Sequence, residues 1–171
     1  MTNSIFKYGL LFTILVLLQV FVFNNVLFSG YINPLIYIFF IFVYPLNKER
    51  FPILIISFFL GLSIDFFSNS GGINAAATLF IAYIRLPVLH TILNKVEFDY
   101  LLFDIKKLYI LQGVLYVFSL SLIHQIIVYT LSYYKTNGLI SLLFTNALIS
   151  SILTSLIIGI GISLFFKSTL K

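Results

Sequence analysis

Residues 52–93 read PILIISFFLGLSIDFFSNSGGINAAATLFIAYIRLPVLHTIL: two long apolar runs, 52–67 and 73–93, joined by the short polar turn Ser68-Asn69-Ser70-Gly71-Gly72. A bilayer core of about 30 Å takes around 20 helical residues to cross, so this pattern reads as a hairpin of two membrane helices. The rest of the chain has the same character. Hydrophobic residues make up 61% of the 171 positions and charged residues 9%, against roughly 45–50% and 25% in a soluble domain. The fold class that follows is all-α, a polytopic bundle forming a single integral-membrane domain over residues 1–171. Cysteine is absent, which removes disulfides, thiolate nucleophiles and cysteine-ligated metals from consideration.

Six transmembrane helices are expected, at about Tyr8–Phe23, Leu35–Leu46, Pro52–Phe67, Ile73–Leu93, Leu108–Tyr134 and Leu139–Phe166. Asn33-Pro34 and Phe51-Pro52 place proline near a helix start, where its missing N–H costs nothing. Lysine and arginine in short loops are held on the cytoplasmic side. With the N- and C-termini inside, Lys7, Lys48, Arg50, Lys95, Lys106, Lys107, Lys167 and Lys171 all fall inside and only Lys135 outside. The formal charge of +5 is therefore read as membrane topology, and nucleic acid is not expected as a partner. Lys7 before an apolar run resembles a signal peptide, but Phe23-Asn24-Asn25 offers no small-x-small cleavage site.

Two charges interrupt the hairpin. Asp65 lies near the outer end of the third span, where two readings compete: it faces water or bonds the turn, capping backbone N–H groups around Asn74–Ala76, or it faces inward or towards a partner protein as an intramembrane carboxylate. Arg85 is the obvious counter-ion, yet it lies about 16 Å below the turn at 1.5 Å per residue, against about 5 Å for Asp65. Snorkelling to the interface, or bonding to a carbonyl such as that of Tyr83 freed by Pro87, is the competing expectation. Pro87 is expected to kink its helix.

Gly61-Leu62-Ser63-Ile64-Asp65, the Ser/Asn/Gly turn, the small-residue opening Ala75-Ala76-Ala77 and the apolar helix to Arg85 resemble the rod shape-determining protein MreD family. Chain length, hydropathy and the clustering of loop charge match as well. The turn departs from the family, with Gly71-Gly72-Ile73 where Pro-Leu-Gly is common. The resemblance implies a non-enzymatic scaffold of the bacterial cell-wall elongation complex in the inner membrane. Its implied partners are the MreC transmembrane anchor, the actin-like MreB, and the glycosyltransferase and transpeptidase that build lateral wall. The family is also similar to substrate-binding subunits of vitamin importers, so a small-molecule transporter subunit is the alternative function.

Three further features bear on partners. Ala147, Ser151, Ser155, Gly159 and Ser163 recur every four residues in the last span. Such a ridge lets backbones approach closely, either within the bundle or against a partner's helix, with interhelical hydrogen bonds worth about 0.6–2 kcal/mol. The inside stretch Asn94–Lys107 gathers Glu97, Asp99 and Asp104 opposite Phe98, Leu101, Leu102 and Ile105 when drawn as a helix. It is a docking candidate for cytoplasmic or membrane partners, membrane lipid included. His124-Gln125 in the fifth span reads either as a relay or as an interhelical hydrogen bond. No phosphate loop, G-x-S-x-G or HExxH occurs, so neither enzyme chemistry, a cofactor nor a metal is expected. A permease needs several polar groups at mid-depth, and Gln112, His124, Gln125 and Asn146 supply few.

Overall fold

The computed structural model describes residues 2–25, 32–46, 49–93, 109–136 and 140–167, and every regular element among them is helical. Helix α1 runs Thr2–Leu18 and continues through a π-turn at Gln19–Phe23. A 3-10 turn, Ile36–Ile38, leads into the short α2, Phe39–Val43. Then follow α3, Phe51–Ser68, α4, Ile73–Leu93, α5, Ile110–Thr136, and α6, Ile140–Lys167. Five helices are long and apolar enough to cross a membrane, within Phe6–Phe23, Phe51–Ser68, Ile73–Leu93, Ile110–Tyr134 and Phe144–Leu164. The second expected span is the exception. Its helical part covers only Ile36–Val43, roughly 14 Å of rise.

That short segment occupies the middle of the molecule. Every residue from Pro34 to Val43 is buried, and Tyr37, Ile38, Phe40 and Ile41 are almost wholly so. A segment apolar on all sides has no face for water, and its short, irregular backbone suits a place where surrounding helices supply hydrogen-bond partners. The ring of Phe40 meets Tyr8 and Phe12 of α1 at centroid separations of 6.4 and 6.2 Å, and Phe42 stands edge-on to Tyr116 of α5 at 5.6 Å. From α6, Gly161 admits the ring of Phe39: a Cβ built there would lie 3.0 Å from it.

Its direction follows from contacts at each end. Gln19, at the start of the π-turn that follows α1, accepts from Ile36 N, whereas Tyr8, early in α1, meets the tilted ring of Tyr44 at 5.1 Å. The segment therefore runs antiparallel to α1. At the far end of α1, Asn24 donates to Ser68 at the end of α3 (2.9 Å), so those two helices finish on one side, and 32–46 carries the chain back to the start of α3.

Helices α3 and α4 form one tight hairpin, α5 and α6 another, and α4 packs on α5 to join them. The first hairpin is close because of Gly61. A Cβ there would stand 2.5 Å from Ala75 Cα and the Asn74 carbonyl oxygen, inside any real contact distance. The turn that closes the hairpin has Asn69, Gly71 and Gly72 at positive φ (51°, 75° and 91°), where glycine carries no Cβ penalty.

Candidate functional site

Because Pro34–Val43 is short and irregular at both ends, its backbone groups find partners outside itself. In a bilayer this is the condition under which non-helical backbone is tolerated. The amide of Gln19 serves the entry: Oε1 accepts from Ile36 N (2.8 Å), and Nε2 donates to the Pro34 carbonyl (3.3 Å) and to Asn24 Oδ1 (2.9 Å). The π-turn that begins at Gln19 accompanies this reach, as such bulges often mark specialised positions. From α6, Thr154 Oγ1 accepts the Leu35 N–H (3.1 Å) and also a hydrogen bond from Gln125 Nε2 of α5 (3.2 Å).

Arg85 serves the exit. Its guanidinium donates to the carbonyls of Ile41 (3.0 Å), Tyr44 (3.1 Å) and Pro45 (2.9 Å), and the residue is only 2% exposed. Five fixed N–H donors in a planar fork suit a set of carbonyls that a helix end leaves unpaired, and a cation suits the negative end of the dipole. Arg85 thus reaches across to α2 and does not use the Tyr83 carbonyl within its own helix. Pro87 sits inside α4, which continues through it to Leu93.

Asp65 does the converse at the other end of α4. Oδ1 accepts from Asn74 N (3.0 Å), Asn74 Nδ2 (3.1 Å) and the Ser70 hydroxyl, while Oδ2 accepts from Ala75 N (2.8 Å). The carboxylate lies one turn before the end of α3 and caps the N-terminus of the next helix, where backbone N–H groups and the dipole favour negative charge. At 4% exposure it is buried within the protein. The two buried charges do not pair: each is neutralised by a different helix terminus.

A line of side chains joins this cap to the middle of the bundle. A carboxylate only accepts, so it fixes Asn74 with Nδ2 towards Asp65 and Ser70 (3.0 Å) and Oδ1 away from them. That Oδ1 accepts from the Tyr37 hydroxyl (2.9 Å), whose oxygen lies 3.1 Å from His124 Nε2. With the tyrosine proton committed to Asn74, the imidazole carries its hydrogen on Nε2. Asn74, Tyr37 and His124 are all buried, so α4, the short segment and α5 are tied through one uninterrupted chain.

The arrangement positions backbone. Among the described residues, no three His, Cys, Asp or Glu side chains come together to hold a metal ion. Among the described residues, buried side-chain atoms without a hydrogen-bond partner are Ser57 Oγ, Ser121 Oγ, His124 Nδ1 and Gln125 Oε1.

Of the small-residue ridge, only the first part faces inward. Ala147 and Ser151 are buried, Ser155 is intermediate, and Gly159 and Ser163 are exposed. A four-residue step advances about 40° beyond a full turn, so the ridge winds out of the bundle. The inner face of α6 instead runs through Ala147, Ser150, Ser151, Thr154 and Ile158. Glu97, Asp99 and Asp104 lie outside the described residues. Sequence reading passed over Tyr37 and Thr154, whose signal was a hydroxyl-bearing side chain amid apolar neighbours. No family model, curated protein or solved structure matches this chain.

Proposed function

We propose that this chain is a non-enzymatic inner-membrane adaptor of MreD type, which contributes to cell shape by holding members of a wall-elongation complex against its helices. It crosses the membrane six times, the short buried segment making the second crossing, with both termini in the cytoplasm. That topology is supported by the contacts at the two ends of α1, which require residues 32–46 to return across the bundle, and by the segregation of lysine.

One observation carries the adaptor reading. On the exposed face of α6, in its C-terminal half, a Cβ added at Gly159 would have nothing within 4 Å, and the large apolar residues Ile152, Leu156 and Ile160 beside it are 45–61% exposed. Gly159 with Ser155 therefore makes a shallow groove between bulky side chains, the shape by which membrane helices approach closely. Its proposed occupant is the single transmembrane anchor of an MreC-type protein.

Replacing Ser155 and Gly159 by leucine fills this groove without touching the core. The expected result is a normally folded, monodisperse protein that no longer co-purifies with its anchor partner. Retention of the partner at wild-type level would overturn the reading. Ala147→Leu, on the buried face, is expected to lose the folded protein itself.

A further inference from the structure

A cavity of about 500 Å³ opens at the Ser68–Gly72 end of the bundle, between α1, the entry to the short segment, α3, α4 and α5. Its described lining is uncharged and mixes polar side chains with the apolar Val20, Leu35, Ile64, Phe67 and Val128. Asn24, Asn25, Asn74 and Gln125 present carboxamides, and Tyr129 and Ser132 present hydroxyls.

Gln125 is fully buried, and one end of its amide is matched by Thr154 while Oε1 has no partner. Exchanging the amide's two ends would match the oxygen and strand the nitrogen. A buried amide left half-satisfied costs about 1–3 kcal/mol, which a bound group able both to donate and to accept would recover. None of the described lining residues is charged, so an ion entering this cavity would leave water without a countercharge in those walls, whereas a neutral hydroxyl-rich group would meet amides and hydroxyls there. The volume falls in the range of small-molecule pockets, about 300–1,000 Å³.

The geometry points to a binding site for a neutral polyhydroxylated ligand, a sugar or the glycosyl headgroup of a membrane lipid. This does not depend on the docking of a partner helix on α6, which lies elsewhere. Asn74 gives the site a link to the rest of the molecule, because the same side chain lines the cavity, binds Asp65 and accepts from Tyr37.

The test uses the full chain in phosphatidylcholine nanodiscs with two probes. Free glucose is followed by saturation-transfer NMR. Monoglucosyl diacylglycerol, against phosphatidylglycerol as a charged competitor, is counted by native mass spectrometry. Transfer to glucose identifies a solute ligand, and selective retention of the glycolipid identifies a lipid one; both support the site. Gln125→Met removes the half-matched amide and is expected to weaken the observed binding on the order of five- to tenfold. Ser132→Phe, on a partly exposed position of α5, fills the cavity and is expected to abolish it. The proposal is overturned if neither probe binds, if phosphatidylglycerol is retained as well as the glycolipid, or if both variants bind like wild type while remaining monodisperse.

Discussion

Asp65 and Arg85 sit in the same hairpin with opposite charge, and the chemistry that keeps each of them buried is local to a helix end. The carboxylate holds the first N–H groups of α4, and the guanidinium holds the last carbonyls of the α2 segment. Exchanging the two residues together is therefore expected to rescue neither single exchange, with single-variant losses that add to within about 0.5 kcal/mol in a double-mutant cycle read by denaturant unfolding in detergent. A coupling well above that would mean the charges see each other after all. Arg85→Leu strands three carbonyls, that of Ile41 buried and those of Tyr44 and Pro45 partly so, and is expected to cost about 3 kcal/mol, while Asp65→Asn keeps one acceptor and costs less. Tyr37→Phe leaves Asn74 Oδ1 and His124 Nε2 without their shared partner, an expected loss of about 1–3 kcal/mol in the same measurement.

Helix pairs respond differently to the same glycine substitution. At Gly61, an added methyl would meet the backbone of α4, so Gly61→Ala is expected to destabilise by about 1–3 kcal/mol through forced separation of α3 and α4. Because the Asp65 carboxylate lies one turn along from that contact, the variant also loosens the cap, and amide exchange at Asn74 and Ala75 should accelerate. Gly159→Ala meets open space and is expected to leave stability unchanged or raise it by up to about 1 kcal/mol, helix propensity being the only term involved. Equal losses at both glycines in thermal unfolding would contradict this account of which helix contacts are tight.

Across the whole molecule, what hydropathy can register was legible and what depends on distant partners was not. The span read as Ile73–Leu93 is α4 to the residue, and the other four long helices lie within a few residues of their expected limits except at the start of α1. Asp65 and Arg85 stood out because charge is rare. The buried hub did not, since Leu35 is satisfied by Thr154, 119 positions away, and no periodicity carries such a pairing. The orientation is open to a direct check in a chain that has no cysteine of its own. Single Lys7→Cys, Lys48→Cys and Lys106→Cys variants are expected to react with a membrane-impermeant maleimide only from the cytoplasmic face, and Lys135→Cys only from the other. Residues 34–43 also impose an order on biogenesis. The ribosome delivers this stretch early, yet the groups that complete its backbone bonding arrive with Arg85 of α4 and finally Thr154 of α6. A nascent chain halted before α6 would hold residues 34–43 unlocked and open to proteolysis, so a stretch synthesised early is the one that settles last.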